Sequence, residues 1–236
     1  MTALLCIVPA RGGSKRLPGK NLRTLGDRPL LDHTARALDD AGLGEAPCLL
    51  STDDEAIAAR GRVLGWRVPW LRPAALATDQ AATVDTVFHA LDWYASESGG
   101  DPERVMVLQP TSPLRGAACL TAALAALDSH ADADAVVGMR RLHVPNDVAY
   151  RIDDAGFAQP VAHLGELAPN GAVYLVRTAA LRTHRSLYPP RTLPWVMDPI
   201  ASIDIDTGAD WRLAEAALAA MSSRESKGDA MRHDRS

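Results

Sequence analysis

Short apolar runs alternate with helical periodicities along the first part of the chain. Residues 4–8 are all apolar and predict a short buried strand. Leu30, Leu31, Ala35 and Leu38 recur every three or four positions and predict a helix. A strand at 47–50, a helix at 55–64 capped by Asp53 or Asp54, and a strand at 66–70 are predicted next.

The alternation continues to the end of the chain. Helices are predicted at 83–94, 116–128 and 211–221, strands at 105–108, 135–139 and 170–176, and two short strands around a turn within 150–157. Strands that alternate with helices indicate an α/β protein with a doubly wound, mostly parallel sheet. In such sheets, ligands bind beyond the carboxyl ends of the strands.

Composition limits the organisation and the class of partner. The 236 residues are 47% hydrophobic, which predicts one domain over residues 1–222, followed by a polar tail, 223–236, expected to be disordered. No apolar run reaches the roughly 18 residues that span a membrane, and a signal peptide pattern is missing, so we expect a cytoplasmic location. The net charge of −4 argues against nucleic acid as a partner.

The cysteines give no sign of a metal centre or a catalytic thiol. Cys6, Cys48 and Cys119 are widely spaced and form no metal-ligand pattern. Cys6 and Cys48 lie in apolar runs, which predicts buried thiols.

The loop after the first strand carries the densest chemistry. Between Arg11 and Lys20 lie four basic residues and no acid, together with the Gly12–Gly13 pair. Glycine lets a backbone approach a ligand closely, and basic side chains bind phosphate oxygens. The spacing fits neither a P-loop nor a G-x-G-x-x-G dinucleotide loop. The loop therefore predicts a polyphosphate site of another kind, although a basic surface turn is the alternative.

A pair of aspartates near the end of the chain suggests a metal site. In residues 202–207, alternation on a predicted strand puts Ile203 and Ile205 on one face and Asp204 and Asp206 on the other. Two carboxylates that converge in this way are typical ligands of Mg²⁺ (or Mn²⁺). Two solvent-facing or helix-capping aspartates are the alternative interpretation.

Five motifs together resemble the CMP-acylneuraminate synthetase family. They are the loop at 7–21 (I-V-P-A-R-G-G-S-K-R-L-P-G-K-N), L-R-P at 71–73, L-Q-P-T-S-P-L-R at 108–115, N-G-A-V-Y at 170–174 and I-D-I-D-T at 203–207. The resemblance covers about residues 3–221 and keeps the family order of motifs. It implies a nucleotide-diphospho-sugar transferase-like fold with a short protruding arm.

The resemblance also implies roles for individual residues. Arg11 and Lys20 are the expected catalytic residues, and Asp204 and Asp206 the metal ligands. The expected nucleotide-binding residues are Arg11, Gly12, Gly13, Ser14, Lys20, Asn21, Arg72 and Thr83. The expected acceptor-binding residues are Gln109, Thr111, Ser112, Asn170 and Tyr174. For Arg115, a structural role such as capping a helix or pairing with an acid is equally open.

One region departs from the family pattern. Residues 140–170 resemble the arm through which the family dimerises, but the arm is shortened and lacks an arginine expected near the carboxylate of the sugar. Arg140, Arg141 and Arg151 are the candidates to replace it. A homodimer is implied by the resemblance alone.

The function implied is transfer of CMP from CTP to a small anionic acceptor, with release of pyrophosphate. A sialic-acid-like 2-keto sugar acid is the first expectation for the acceptor. The shortened arm leaves a small phosphonate as an alternative, and a non-catalytic CTP-binding protein is a second. A Rossmann oxidoreductase is disfavoured because G-x-G-x-x-G is missing.

Overall fold

The structure is a computed structural model that describes residues 3–142, 150–152, 158–160 and 166–233. Ten strands alternate with six helices and one 3₁₀ turn within these residues. The strands are β1 Leu4–Pro9, β2 Thr24–Leu25, β3 Arg28–Pro29, β4 Cys48–Ser51, β5 Arg104–Val107, β6 Ala135–Arg141, β7 Tyr150–Ile152, β8 Ala158–Pro160, β9 Leu167–Arg177 and β10 Thr192–Val196. The helices are α1 Leu30–Asp40, α2 Glu55–Val63, α3 Thr83–Ser98, α4 Ala117–Ser129, α5 Thr178–His184 and α6 Gly208–His233, and the 3₁₀ turn is Ala74–Leu76.

The main sheet has six strands in the order β10-β6-β9-β5-β1-β4. Strands β4, β1 and β5 run parallel, as do β6 and β10, and β9 is antiparallel to both of its neighbours. The predicted mostly parallel α/β sheet is confirmed. The carboxyl ends of β4, β1 and β5 consequently meet at one edge, where the loops that follow them lie side by side.

Helices cover both faces of this sheet. Strand β1 shows why, since Leu4, Cys6 and Val8 pack on one face with α1, α2 and α4, whereas Leu5 and Ile7 pack on the other with α3 and α5. Burial of each such aliphatic side chain contributes about 1.5–3 kcal/mol. The continuous apolar run at 4–8 is thus explained by a strand buried on both faces.

Two predicted elements differ in the structure. Residues 66–70 form no strand, because Arg67 alone makes a bridge to Leu49 and Pro69, which has no N–H, follows two residues later. Residues 203–206 are irregular rather than a strand, yet Ile203 and Ile205 are buried in the core while Asp204 and Asp206 line a cleft. The side chains therefore alternate between core and cleft as predicted, although the segment forms no strand hydrogen bonds.

The end of the chain also differs from the prediction. Helix α6 continues to His233, so residues 223–233 are helical where disorder was expected. Asp210 fixes the start of α6, because its Oδ2 accepts hydrogen bonds from the N–H groups of Asp206 (3.1 Å) and Thr207 (2.7 Å). Within the described part of the chain, every helix is too short or too polar to cross a membrane.

The predicted arm coincides with the least described region. Strand β7 lies within the range 150–157 predicted for two short strands, and it pairs antiparallel with β8, which begins one residue after that range. Residues 143–149, 153–157 and 161–165, and with them the turn predicted within 150–157, lie outside the described residues. A role of this arm in dimerisation stays a prediction.

Candidate active site

A cleft lies at the carboxyl edge of β4, β1 and β5. Its volume is about 290 Å³, and its walls come from the loop after β1, the 71–86 segment, the loop after β5 and the 203–206 segment. The lining residues are Pro9, Ala10, Arg11, Lys20, Asn21, Arg72, Leu76, Thr78, Asp79, Ala81, Thr83, Thr86, Gln109, Pro110, Thr111, Asp204 and Asp206. Four of the five sequence motifs therefore meet in one place.

An outer cavity of about 300 Å³ adjoins the cleft on the side of the basic loop. It shares Arg11, Lys20, Asp79 and Asp206 with the cleft and adds Ser14, Lys15 and Arg16. The four cations of the basic loop line the outer cavity, and Arg72 lines only the cleft. This distribution of charge suits a ligand whose polyanionic end lies next to the basic loop.

The basic loop, residues 10–21, is held in place from two sides. Asn21 is buried and its Nδ2 donates to the backbone carbonyl of Arg11 (2.9 Å). The N–H of Gly12 donates to Asp53 Oδ1 (2.9 Å), at the end of the neighbouring strand β4. The sequence predicts a phosphate contact for this N–H, and the hydrogen bond to Asp53 occupies it instead. Gly13 lines neither cavity.

Gly12 is required by a close approach. A Cβ at this position would lie 2.7 Å from the Cβ of Asp54 and 2.9 Å from its Oδ2. Asp54 cannot move freely because it caps α2, with Oδ1 accepting from Ala56 N (2.8 Å) and Ile57 N (3.0 Å). The glycine therefore brings the loop against the β4–α2 turn rather than against a ligand.

Lys20 is the most enclosed cation of the loop. Its side chain is 11% exposed, and Nζ donates to Asp206 Oδ1 (3.0 Å) and to the carbonyl of Ile205 (2.8 Å). The exposed Arg16 binds the other oxygen of Asp206 (2.8 Å). Lys20 and Asp206 thus form a fixed pair at the junction of the two cavities.

Asp204 carries an oxygen without a partner. Its Oδ1 is buried, and it accepts no hydrogen bond from the described residues. Burial raises the pKa of Asp204; a hydrogen bond from the Thr111 side chain and the nearby Lys20 oppose the rise, and the nearby Asp206 adds to it. A buried, unpartnered carboxylate oxygen is costly in free energy unless a ligand binds it.

The chemistry of this pair suits a hard cation. No group of three or more His, Cys, Asp and Glu side chains in the described ranges is arranged to hold a metal. Mg²⁺, however, is commonly held by one or two carboxylates plus substrate phosphates and water. Asp204 and Asp206 therefore fit a cation that arrives with a phosphate ligand.

Arg11 and Lys15 share a single carboxylate. Arg11 Nη1 lies 2.7 Å from Asp79 Oδ1, and Lys15 Nζ lies 2.6 Å from Asp79 Oδ2. The Lys15 and Arg11 hydrogen bonds hold the pKa of Asp79 below its usual value. All three side chains are well exposed. Asp79 was not among the predicted site residues, and its bridge across the mouth of the cleft has no signal in the local sequence.

Arg72 lines the inner end of the cleft. Its side chain is buried, and it donates to Ser51, through Nε to Oγ (3.0 Å) and through Nη2 to the backbone carbonyl. Burial lowers the pKa of Arg72 to about 10. Thr83, which was predicted, and Thr86, which was missed, line the cleft from the first turns of α3. Their helical spacing was the available signal for Thr86.

The loop after β5 contributes two of the predicted acceptor residues. Gln109 and Thr111 line the cleft. Ser112 does not, because it is fully buried and its Oγ donates to the carbonyl of Asn170 (3.2 Å). Gly171 has a positive φ of 78°, and a Cβ there would meet Gln109 Oε1 at 2.5 Å.

Asn170 and Tyr174 also lie outside both cavities. Asn170 is buried, and its Nδ2 donates to Ser202 Oγ (3.0 Å) while its Oδ1 accepts from Ala172 N (3.1 Å). Tyr174 is buried in the core, packs edge-on against Tyr188, and burial raises the pKa of its hydroxyl. Their contacts order the scaffold, and the predicted acceptor contacts of Ser112, Asn170 and Tyr174 are not part of this geometry.

Arg115 has a structural role, as the sequence allowed, but a different one from capping a helix or pairing with an acid. It is 1% exposed and neither caps a helix nor pairs with an acid among the described residues. Its Nη1 donates to the carbonyls of Gln109 (2.8 Å) and Ala172 (2.9 Å), and its Nη2 to Thr34 Oγ1. Arg115 therefore ties the loop after β5 to β9 and α1.

Comparison with known proteins assigns the family. A sequence profile described as cytidylyltransferase matches residues 5–150, more than half of the chain. The chain belongs to the cytidylyltransferase family. The expected enzyme class, a nucleotidyltransferase that uses CTP, is thereby confirmed.

Proteins similar in sequence to this cytidylyltransferase are named as CMP-sugar acid synthases or as cytidylyltransferases. It is 33% identical to a CMP-N,N'-diacetyllegionaminic acid synthase from Legionella pneumophila, over 90% of this chain and 94% of that protein. It is 31% identical to an N-acylneuraminate cytidylyltransferase from Escherichia coli, over 90% of this chain. The match covers only 51% of the Escherichia coli protein, so this chain spans about half of its length.

Solved structures support the fold of the cytidylyltransferase. A CMP:2-keto-3-deoxy-manno-octonic acid synthetase complexed with CTP superposes with a TM-score of 0.65 at 19% identity, covering 93% of this chain and 100% of the other. A 4-diphosphocytidyl-2C-methyl-D-erythritol synthase from Anaerococcus prevotii superposes with a TM-score of 0.62 at 14% identity, covering 92% and 98%. These likenesses concern the fold alone.

Proposed function

We propose that this cytidylyltransferase moves CMP from CTP onto a hydroxyl of a sialic-acid-like 2-keto sugar acid and releases pyrophosphate. The observation that carries the proposal is the meeting of Lys20, Asp206 and the unpartnered oxygen of Asp204 in one cleft. In a member of this family, Lys20 suits the α-phosphate of the nucleotide directly, and the two carboxylates suit a cation bound to that phosphate.

The nucleotide is proposed to lie along the two cavities. The base and ribose occupy the inner end, where the buried Arg72 and Thr86 and the half-buried Thr83 offer polar groups. The triphosphate points to the outer cavity, towards Arg11 and Lys15. This orientation follows from charge, since the inner end has one buried arginine and the outer end has all four cations of the loop.

Asp204 and Asp206 would hold Mg²⁺ (or Mn²⁺) together with oxygens of the substrate phosphate. When bound, the cation neutralises phosphate charge and orients the α-phosphate. Asp204 Oδ1 is the protein atom that best supports this assignment, because it is buried and lacks a hydrogen-bond donor. Asp206 is held by Lys20 and Arg16, which fixes the orientation of its carboxylate.

Lys20 is the proposed catalytic cation. The hydroxyl oxygen of the acceptor attacks the α-phosphorus and gives up its proton to water. The bond from the α-phosphorus to its bridging oxygen breaks, and the pair of electrons of that bond leaves with pyrophosphate. Negative charge grows on the leaving group, and the enclosed Nζ of Lys20 can stabilise it without reorganisation. A covalent intermediate on the protein is not required.

The sugar acid is proposed from the relatives and from the cleft. Proteins named for N-acylneuraminate, N,N'-diacetyllegionaminic acid and pseudaminic acid match this chain at 31%, 33% and 34% identity, the last over 47% of it. Gln109 and Thr111 are the predicted acceptor residues that reach the cleft. Arg140 and Arg141 are exposed and line neither cavity of their own chain, and the side chain of Arg151 lies outside the described residues, so the replacement of the missing arginine stays a prediction. The relatives named here do not favour a phosphonate.

Pyrophosphate release from CTP and Mg²⁺ tests the proposal. The acceptor panel contains N-acetylneuraminate, legionaminate and pseudaminate derivatives, 3-deoxy-octulosonate and simple phosphonates. We expect release with one of the nine-carbon acids and formation of its CMP conjugate. Release with a phosphonate alone would contradict the acceptor class, and CTP binding without release would favour a non-catalytic protein. Sedimentation of the same sample tests the predicted homodimer.

A further inference from the structure

Asp79 bridges two loops that face each other across the site. It follows the 3₁₀ turn Ala74–Leu76 on one wall, and its two oxygens bind Arg11 (2.7 Å) and Lys15 (2.6 Å) on the other. Its side chain is 42% exposed, so core packing does not hold it there. Asp79 lines both the cleft and the outer cavity.

The carboxylates around the basic loop leave none of its cations free. Arg16 and Lys20 bind Asp206, while Arg11 and Lys15 bind Asp79. An incoming polyphosphate therefore competes with carboxylates for each cation that it contacts. Whether it can replace them depends on how firmly each pair is held.

Asp206 and Asp79 differ in how firmly their ion pairs are held. Asp206 binds Lys20, which is 11% exposed and is also fixed by a backbone carbonyl. Arg11 and Lys15 are 36% and 83% exposed, and their pairs with Asp79 are accessible to water and salt. Exposed ion pairs are weak and easily exchanged. Asp79 is therefore the carboxylate that phosphate replaces most readily.

We infer that Asp79 is a specificity-determining residue, an exchangeable anion that competes with the distal phosphates of CTP for Arg11 and Lys15 and returns to them when pyrophosphate leaves. The inference rests on the proposed function, because it takes the outer cavity as the position of those phosphates. CMP has no distal phosphate, so its affinity is independent of Asp79. The residue thus weakens the hold on pyrophosphate after each turnover.

The test is calorimetric titration of the wild-type chain and Asp79→Asn with CTP, pyrophosphate and CMP in Mg²⁺ buffer. Asp79→Asn is expected to bind CTP and pyrophosphate about fivefold more tightly, as loss of two competing surface pairs predicts, and CMP equally well. The matched control is Asp40→Asn, which removes an exposed pair with Arg36 (3.3 Å) on α1 that lines neither cavity. The control is expected to match the wild type with all three ligands.

The possible outcomes separate this inference from the proposed function. Weaker or unchanged binding of CTP and pyrophosphate by Asp79→Asn, with normal binding by the wild type, would overturn the inference alone. Equal tightening of CMP would also overturn it, since the effect would then be one of general charge. If the wild type bound no CTP, the proposed nucleotide site would fail, and the inference with it.

Discussion

The basic loop and the loop after β5 follow neighbouring strands at the same edge of the sheet, but they use arginine in opposite ways. The side chain of Arg11 is 36% exposed, and its described ion-pair partner is the exposed carboxylate of Asp79. Arg115 is 1% exposed and binds two backbone carbonyls and a threonine. A partner can be exchanged for a ligand in the first case and not in the second. Residues of a signature motif therefore divide into those that face the ligand and those that build the wall.

The largest effect is expected on the ligand-facing side. Lys20→Ala should lower kcat by about 10²–10³, the loss seen when one donor to a developing oxyanion is removed. The melting temperature should stay close to that of the wild type. Arg16→Ala is the control, because Arg16 binds the same Asp206 from the exposed side, and it should retain most activity. Steady-state pyrophosphate release gives the answer, and a Lys20→Ala enzyme within tenfold of the wild type would remove Lys20 from catalysis.

The next largest effect is expected on stability, at Arg115 in the wall of the cleft. Arg115→Met should lower the free energy of unfolding by about 3 kcal/mol, because the carbonyls of Gln109 and Ala172 and the hydroxyl of Thr34 each lose a hydrogen-bond donor. Urea denaturation measures this loss. Arg36→Met removes an exposed pair and should change stability by less than about 1 kcal/mol. A stable Arg115→Met variant that no longer binds CTP would place Arg115 on the ligand-facing side.

A smaller effect tests how the basic loop is seated. Gly12→Ala puts a Cβ 2.7 Å from that of Asp54, which should cost about 1–3 kcal/mol and raise KM for CTP as the loop shifts. Gly13→Ala is a matched control, because a Cβ added at Gly13 would have no atom within 4 Å. Thermal melting and KM are measured together. Equal behaviour of the two variants would show that the loop is not seated on Asp54.

The smallest effect is expected on stability, from the buried charge of Asp204. Burial raises its pKa, so the folded chain binds that proton more tightly than the unfolded chain, and stability falls as the pH rises from the ordinary aspartate value through the raised pKa. Asp204→Asn removes this loss. Without metal at neutral pH, it should melt about 2–4 °C higher, as about 1 kcal/mol predicts for a chain of this size, and lose Mg²⁺-dependent turnover. A lower melting temperature at neutral pH would argue against an unpaired charge.

Much of the fold could be predicted from local patterns. The run at 4–8 and the helix from Leu30 follow from side-chain periodicity. The strand expected at 66–70 was wrong. Its apolar pattern is typical of a strand, but Pro69 has no N–H to donate to a neighbouring strand, and only Arg67 makes a bridge. Helix α6 continues through polar residues after 221 that offered no apolar periodicity.

The site could be predicted only as far as residue type reveals a ligand. Lys20, Arg72, Asp204 and Asp206 line the cleft, as the motifs suggested. Asn170 and Ser112 also have polar side chains in signature motifs but bond to the scaffold. Only long-range contacts separate the two groups. The bridge from Asp79 to Arg11 and Lys15 likewise joins segments more than 60 residues apart, which no local pattern contains.

A crystal structure with CTP and Mn²⁺, with data collected at the manganese edge, tests the division between ligand-facing and wall residues most directly. We expect manganese, seen as an anomalous peak, to be coordinated by Asp204 and Asp206, the phosphates to bind Lys20, Arg11 and Lys15, and Asp79 to be released from its two ion pairs. Arg115 should keep its three partners. Manganese bound away from Asp204, or phosphate bound while Asp79 keeps its two ion pairs, would contradict this division.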